Sequence, residues 1–390
     1  MNVTNGIELS AFRHPGCGDG GPLSSKEEFR EHRDCTTHFA MNRECRQMVR
    51  RGRRASLGQW IGAALAAWLV ALPAPAADPV FPTIRAADTK LARIGYRLAT
   101  ANASLCDRQE PGLGLILHTP EQYSRDLRTA AIRYFKLDGP VGVEGVIDGS
   151  PAENAGIRID DTLLAIGSAQ FASANLEGEA TTTAAIRAAA QLAALSSAKS
   201  LVVRGMRNGT PYTQALRPVP ACRSRFEVEI GTEWTAKADG EMVQIGSPFL
   251  ETYPEDQVAA VVAHELAHNI LRHRERLEAR GVDYGMLSGF GRNVRYFRQT
   301  ELEADVLSVS LLANAGYDPE VAVRFWQDFG PKRAGGILRS RSHPAWQDRV
   351  STIRYAIAQL GPERPRRPAL LATRDRPLDG NWQALLVKAR

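Results

Sequence analysis

The chain has 390 residues, with 49 Lys and Arg against 43 Asp and Glu, a formal net charge of +6 and 44% hydrophobic residues. This length and apolar content are enough for two folded domains. No basic stretch is interleaved with aromatic residues, so the composition argues against nucleic acid as a partner.

The first 77 residues have the pattern of a leader. Residues 1–47 show no clear periodicity, the basic segment 50–54 precedes an apolar run at 57–72, and the small residues 74–77 follow. That order is typical of a secretory signal, so we predict an exported and periplasmic protein. Anchoring in the membrane through an uncleaved signal is the alternative, although the run is shorter than the roughly 20 residues of a typical span.

Residues 83–104 carry a helical pattern. The apolar residues Ile84, Leu91, Ile94 and Leu98 follow one another at steps of seven, three and four, so they share one face. Gly95 lies inside this run and weakens it slightly. We assign residues 78–106 to the N-terminal helix of the main domain.

Two of the five cysteines, Cys106 and Cys222, lie in the exported part of the chain. An even pair in an oxidising compartment suggests a disulfide, and two buried free thiols are the alternative. The pair brackets residues 107–220, so we expect it to clamp the root of a separate inserted module.

The inserted module has the element order of a small β-rich domain. Its predicted elements are a strand at 112–118, a helix at 120–135, a second helix at 179–195 and closing strands at 201–204 and 213–216. The sequence from Gly139 to Ile166 resembles a PDZ domain of the bacterial protease type. This resemblance implies that an extended peptide adds to a sheet edge, with Pro140, Val141, Gly142 and Val143 holding its terminal carboxylate. A PDZ-like fold that only packs against the main domain and gates it is the alternative.

The sequence His264-Glu265-Leu266-Ala267-His268 is typical of a zinc-peptidase site. No Gly or Pro occurs from 255 to 280, which predicts one helix over this range. Residues four apart share a helix face, so both imidazoles can bind one ion, while Glu265 can take a proton from a zinc-bound water as general base.

A second apolar helix begins with Glu301-Leu302-Glu303-Ala304-Asp305. Catalytic zinc takes three protein ligands and an open position, and Glu301 can supply the third ligand. Asp305 shares its face and can accept a hydrogen bond from a ligand imidazole. We expect Glu303 to be solvated, as well as His273, which would lie off the ligand face of the first helix.

The motifs HELAH and E-x-x-A-D, followed by A-G-Y-D-P at 315–319 and S-H-P at 342–344, resemble a known family of zinc metallopeptidases. This family includes HtpX, the CAAX prenyl endopeptidases and periplasmic quality-control proteases, and the resemblance covers about residues 221–360. It implies that His264, His268 and Glu301 bind one zinc ion per chain and that Glu265 is the general base. It also implies that Asp305 does not bind the zinc itself but contacts a zinc-binding side chain. Gly316 fits a stop at the end of the second helix.

His343 has two predicted roles and a plainer alternative. It can stabilise the oxyanion of the tetrahedral intermediate as a catalytic residue, or it can cap the zinc and hold the site latent. The plainer reading is a loop histidine that shapes a turn before Pro344. Arg349 also fits the family pattern, and a structural ion pair is its favoured role.

Two further segments flank this domain. Residues 241–246 alternate like a strand, and the family resemblance implies an edge strand beside the cleft there. The Pro- and Arg-rich residues 361–390 are predicted to form a flexible or loosely docked tail, in which Arg364, Arg366 and Arg367 offer a peripheral contact with acidic lipid.

The predicted fold class is α+β, with a mainly helical gluzincin-type zinc-peptidase domain and an inserted β-rich PDZ-like domain. The favoured function is zinc-dependent hydrolysis of peptide bonds in unfolded or misassembled envelope proteins, so the expected partners are unfolded or extended polypeptides. A binding or chaperone-like factor with a latent zinc site capped by His343 is the alternative. The oligomeric state is left open.

Overall fold

The computed structural model describes residues 80–282, 291–333 and 343–389. The predicted leader, signal and cleavage site lie outside these residues, as does Ser342 of the S-H-P motif. Within the described part of the chain, no helix is both long enough and apolar enough to span a bilayer.

Helices and sheets are mixed along the chain, in agreement with the predicted α+β class. The described helices of four or more residues, apart from 3-10 turns, are α1 (Val80–Ala101), α2 (Arg125–Phe135), α3 (Pro151–Asn154), α4 (Thr183–Ala193), α5 (Ser247–Thr252), α6 (Glu255–Ile270), α7 (His273–Glu278), α8 (Val294–Asn314), α9 (Glu320–Arg333) and α10 (Trp346–Ala358). The described strands are β1 (Gln109–Gly112), β2 (Leu115–His118), β3 (Val141–Val146), β4 (Thr162–Ile166), β5 (Ala169–Gln170), β6 (Leu201–Arg207), β7 (Thr210–Leu216), β8 (Val219–Cys222), β9 (Arg225–Glu229), β10 (Ala236–Ala238) and β11 (Met242–Gly246).

The N-terminal helix α1 belongs to the main hydrophobic core. Leu91, Ile94 and Leu98 are buried in it together with residues of α6 and α8. Gly95 lies where Phe226 of β9 approaches the helix, because a Cβ at this position would come within 2.5 Å of that ring. The glycine that weakened the helical pattern therefore allows the helix to pack closely on the sheet.

The inserted module is built on a six-stranded sheet. Its strand order is β2-β3-β4-β6-β7, with β5 paired to β4. The predicted first strand is divided into β1 and β2 at Gly114, which has a φ of +75°. The β6–β7 hairpin turns at Asn208 and Gly209, both with positive φ, as the Asn-Gly pair predicts.

Three of the four predicted carboxylate-binding residues lie inside this sheet. Val141, Gly142 and Val143 belong to β3, which pairs with β2 on one side and β4 on the other. The amide of Val143 donates to the carbonyl of Asp161 at 2.8 Å. Addition of a peptide requires an unpaired edge. β3 lacks such an edge, because both of its sides are paired at these residues. Val141, Gly142 and Val143 therefore do not form the predicted carboxylate loop. β2, which neighbours β3, is the strand at this end of the sheet.

The chain enters and leaves the module at a paired root, and the module also contacts Phe81 and Arg85 of α1. β1 and β8 pair antiparallel from Gln109↔Cys222 to Gly112↔Val219. Beside this ladder the sulfur atoms of Cys106 and Cys222 lie within bonding distance, and their Cα atoms are 5.4 Å apart. The two cysteines thus meet where the chain enters and leaves the module, as the sequence predicted.

We expect the Cys106–Cys222 pair to be oxidised and to stabilise the root. Its 116-residue separation closes a long loop, and loss of such a link from an exported domain typically costs about 2–5 kcal/mol. Denaturant unfolding with and without reductant measures the difference, and non-reducing peptide mapping is its control. Recovery of both cysteines as free thiols would contradict the prediction.

The second sheet lies beside the helical core and has the order β10-β11-β9. The predicted edge strand at 241–246 corresponds to β11, which pairs with β10 on one side and β9 on the other. That part of the prediction was wrong: β11 is central and buried. The edge strand near the cleft is β10. It has only three residues, with Lys237 at the centre, and this alternation is too short to be recognised as a strand in the sequence.

The predicted helix 255–280 is interrupted at Arg272. α6 ends at Ile270, and Arg272 adopts a left-handed conformation with a φ of 53° before α7 begins. Arginine is not a residue that typically marks this conformation, which explains why no break was predicted. The reversal turns His273 inward, and it is 2% exposed instead of solvated.

The C-terminal segment is docked on the main domain, which corrects the prediction of a flexible or loosely docked tail. Arg374 donates to the carbonyl of Leu105 and to Asp107, each at 3.1 Å. Leu378 is completely buried in a small cluster with residues of α7 and α8. Further along, the Val387 amide donates to Thr352 at 3.0 Å. Contact of the tail arginines with lipid stays a prediction.

Asp88 of α1 gives a prediction for stability against pH. Burial, and then the charge of Glu227, raise the pKa of Asp88 to about 7. The pKa of Asp88 is near 4 in the unfolded chain, so between about pH 4 and pH 7 only the folded state keeps this carboxyl protonated. The proton then stabilises the fold in acid, and this contribution is lost as the pH rises through about 7. Asp88→Asn is therefore expected to raise the free energy of unfolding by about 1–2 kcal/mol at pH 8 and by little at pH 4. Urea unfolding at both pH values measures this, and an equal effect at both would contradict it.

Candidate metal centre

α6 and α8 cross in the main core and carry the predicted metal ligands. α6 begins after Pro254 with Glu255 and Asp256, whose charges favour a helix N-terminus. Its middle is buried and apolar, so the two motif histidines are held on a rigid helix. α8 ends before Gly316, which has a φ of +74° and fits the predicted stop.

His264, His268 and Glu301 converge on one point. Their ligand atoms all lie within 4.8 Å of one another. The Nε2 atoms of the two histidines are 3.2 Å apart, and Glu301 lies 3.4 Å from His264 and 3.7 Å from His268. Two imidazoles and a carboxylate at this spacing fit a zinc ion that keeps a fourth position for water.

Glu265 lies in the wall of the same cavity. The cavity has a volume of about 520 Å³ and is lined by both histidines, Glu265, Glu301 and His343. Burial, together with the charge of Glu301, raises the pKa of Glu265 to about 7. A carboxylate with a raised pKa near the working pH is suited to accept and return a proton.

Asp305 and Arg349 form the support of His264. The Nδ1 atom of His264 is 3.1 Å from Asp305, which also receives two hydrogen bonds from Arg349 at 2.7 and 2.6 Å. Arg349 is buried, reaches Glu301 at 3.2 Å and lies over the ring of Trp326. Asp305 was predicted to accept a hydrogen bond from a ligand imidazole, and Arg349 to form a structural ion pair. The distances agree with both predictions.

Opposing influences set the protonation of these ligands. Burial alone would lower the pKa of His264, but the hydrogen bonds that His264 donates to Asp305 and Glu301 raise it to about 9. Burial would raise the pKa of Glu301, yet the charge of His343 and the hydrogen bond from His264 hold it well below its usual range. Glu301 is therefore ionised, whereas His264 must release a proton before its Nε2 atom can bind a divalent cation.

His343 lies at the rim of the site. Its Nε2 atom is 3.7 Å from Glu301, and 41% of its side chain is exposed. From this position it can approach either a bound substrate or a metal ion. The oxyanion and capping roles both stay predictions.

A second group of side chains contacts the metal-binding His268 and was not predicted from the sequence. His273, Glu303, Arg276 and Gln299 are all buried there. Burial would raise the pKa of Glu303, but hydrogen bonds from His273 and Arg276 lower it to about 2. The expectation of a solvated Glu303 was wrong. Apolar residues recur around α8 from Leu302 onward, and this pattern could have indicated that the helix is buried and has no solvated face for Glu303.

The rest of the cavity is apolar and aromatic. Trp234, Phe249, Phe325, Trp326 and Phe329 contribute to its lining, together with Ala236 to Ala238 of the edge strand β10. Phe329 stacks on Phe249 and on Phe325, with centroids 5.5 and 5.1 Å apart, while the rings of Phe249 and Phe325 are tilted at 6.1 Å. The site thus combines a polar metal-binding end with a large apolar region.

Comparisons with known proteins point to the same chemistry. Residues 286–357 match Peptidase family M48, a segment that includes Glu301, Asp305, His343 and Arg349 but not the HELAH motif. The chain is 32% identical over 120 residues to "Mitochondrial metalloendopeptidase OMA1" of Schizosaccharomyces pombe and 28% identical over 118 residues to the protein of the same name from Arabidopsis thaliana. These matches cover 25% and 26% of this chain, and 36% and 24% of the relatives. They support the prediction of a zinc metalloendopeptidase.

Proposed function

We propose that this protein is an exported zinc-dependent endopeptidase that hydrolyses peptide bonds in unfolded or misassembled envelope proteins. The observation that carries this proposal is the convergence of His264, His268 and Glu301, with Glu265 beside them in the same cavity. The match to Peptidase family M48 and the similarity to two metalloendopeptidases support it.

The side chains divide the work of peptide hydrolysis between them. Zinc, when bound by the two histidines and Glu301, polarises the scissile carbonyl and makes a water molecule more acidic. Glu265 takes the proton of the attacking water and returns it to the leaving amine, a task for which its raised pKa suits it. In this proposal His343 donates a hydrogen bond to the oxyanion of the tetrahedral intermediate.

The cavity favours extended chains as substrates. β10 is an edge strand and forms part of the cavity wall, so a peptide can add to it through main-chain hydrogen bonds. A folded protein cannot present its backbone in this way, because its amides are already paired. The inserted module would recruit such chains as a PDZ-like domain, with β2 as the strand available for pairing.

The exported location rests on the leader pattern in residues 50–77. The names of the two relatives place those proteins in mitochondria. A secretory signal and two cysteines in bonding contact favour an oxidising compartment for this chain. Fractionation of cells followed by N-terminal sequencing tests the location, and a protein retained with residues 1–77 in the cytoplasm would contradict it.

The activity is tested by degradation of a model protein in two states. The zinc-loaded enzyme is expected to cleave a reduced, unfolded substrate and to leave its folded, disulfide-bonded form intact. Electrophoresis and mass spectrometry of the fragments measure both. Equal cleavage of the two forms would contradict the substrate class, and no cleavage of either would contradict the peptidase.

The position of His343 favours one second candidate, a binding or chaperone-like factor with a latent site. Its Nε2 atom lies 3.7 Å from Glu301, within the reach of a group that could cap the metal. His343→Ala separates the possibilities: hydrolysis should rise if His343 caps the site and fall if it stabilises the oxyanion.

A further inference from the structure

A chain of polar groups runs from His268 through His273, which also lines the cavity, to Glu303 in the protein interior. The Nδ1 atom of His268 is 2.9 Å from Nδ1 of His273, and Nε2 of His273 is 3.0 Å from Glu303. Glu303 also receives hydrogen bonds from Arg276 at 2.7 Å and from Gln299 at 2.8 Å. The His268 side chain is 16% exposed, whereas His273, Glu303, Arg276 and Gln299 are all buried, so solvent screens their contacts little.

The positions of the hydrogen atoms follow from the partners. Nε2 of His268 faces His264 and Glu301, so it must be the metal-binding atom and Nδ1 must carry the proton. His273 then accepts at Nδ1 and donates from Nε2 to the ionised Glu303. The arrangement allows one neutral tautomer for each histidine, and Arg276 balances the carboxylate charge.

The two metal-binding histidines are thus supported in parallel ways. His264 donates directly to Asp305, which Arg349 holds. Among the residues that the structure describes, no carboxylate lies within hydrogen-bond distance of Nδ1 of His268, and His273 bridges the gap to Glu303, which Arg276 holds. Such outer partners fix the ring orientation of a ligand histidine. We propose that His273 and Glu303 position the metal ligand His268, and that the C-terminal segment 374–380 keeps them in place.

The C-terminal segment contacts the outer end of this chain at two points. The Gly380 amide donates to Gln299 at 2.8 Å, and Arg276 donates to the carbonyl of Arg376 at 3.0 Å. Leu378, between them, is completely buried with Leu277. Both residues that hold Glu303 are therefore oriented by the backbone of the tail.

Zinc affinity tests this inference, which rests on the proposed metal site. The dissociation constant is measured by competition with a chromophoric chelator, on folded protein well below its melting temperature. Glu303→Gln and His273→Phe are expected to weaken zinc binding about 10-fold to 100-fold. His273→Gln keeps an acceptor and a donor and should recover part of the loss. Glu278→Gln is the matched control, because it makes the same change at an exposed site on α7.

A second pair of variants tests the tail. Gln299→Met removes the contact with Gly380 and the hydrogen bond to Glu303. Leu378→Ala loosens the tail without touching any member of the polar chain. Both are expected to weaken zinc binding several-fold. If Leu378→Ala lowers the melting temperature of the zinc-free protein but leaves the zinc dissociation constant unchanged, the tail is only structural and this part is wrong.

The outcomes separate this inference from the proposed function. Wild type that fails to bind zinc through His264, His268 and Glu301 would contradict the proposed function. Wild type that binds zinc and cleaves peptides, with Glu303→Gln and His273→Phe binding equally tightly, would overturn only the positioning role. If Glu303→Gln fails to fold, the zinc dissociation constants of His273→Gln and His273→Phe are compared instead. Both variants keep the buried ion pair of Glu303 and Arg276, so this comparison still tests the positioning role.

Discussion

Glu265→Gln is expected to keep its zinc and to lose about 10³-fold in kcat for peptide hydrolysis. A glutamine has the same size, so the packing around α6 is preserved, but its amide cannot accept the proton of the attacking water. General base catalysis by a placed carboxylate typically contributes about 10²–10⁴-fold. The loss should appear in kcat and in kcat/KM equally, because the interaction is made only in the transition state.

The measurement combines steady-state cleavage of a fluorogenic peptide with the zinc content of the same preparation. Glu275→Gln is a matched control, since Glu275 pairs with Arg108 on the exposed side of α7. A variant that retains more than a tenth of wild-type kcat would assign the base to another group, and His343 would be the next candidate. Loss of zinc from the variant would instead give Glu265 a structural role.

Arg349→Gln is expected to destabilise the zinc-free protein by about 3–5 kcal/mol, because it leaves buried carboxylates without their counter-charge. Arg349 is buried and holds Asp305 through two hydrogen bonds while also reaching Glu301. Zinc supplies positive charge next to Glu301, so the loss should be smaller in the zinc-loaded enzyme. The destabilisation by this one substitution should thus depend on the metal.

Denaturant unfolding with and without a chelator tests this dependence. Arg354→Gln is the control, because Arg354 lies on the same helix α10 and is exposed. Equal destabilisation with and without zinc would show that Arg349 acts through Asp305 and the ring of Trp326 alone, and would contradict a charge link to Glu301. An unchanged stability in both states would contradict the buried ion pair itself.

The residues that converge on the metal site could be inferred from the sequence because their spacing is local. His264 and His268, and likewise Glu301 and Asp305, are four residues apart on continuous helices, so helix geometry alone brings each pair to one face. The proximity of Cys106 and Cys222 followed from counting, because these are the two cysteines that lie after the predicted leader. Packing between distant segments was not needed for any of these predictions.

The predictions failed where the backbone departed from regular structure or where distant segments met. His273 was assigned to the outer face because a continuous helix was assumed through Arg272, which instead adopts a left-handed conformation. Composition suggested a loose tail, since Pro and Arg are common in exposed segments, but the tail docks through the side chains of Arg374 and Leu378 and through backbone groups, whose distant partners no local pattern reveals. β11 was taken for an edge because the family resemblance implied an edge strand there, and the pattern of a single strand does not show how many partners it has.

α8 holds its functional side chains at alternate positions, 299, 301, 303 and 305. Gln299 and Glu303 form one pair four residues apart and face the tail, while Glu301 and Asp305 form a second pair and face His264. The two pairs are interleaved on one turn and a half of helix. A one-residue deletion between these positions would rotate the residues after it by about 100° relative to those before it, and so would break the alignment of both pairs. The interleaving Q-x-E-x-E-x-D, joined to a histidine five residues after the HELAH motif, is therefore a compact signature by which other chains with the same dual support can be recognised.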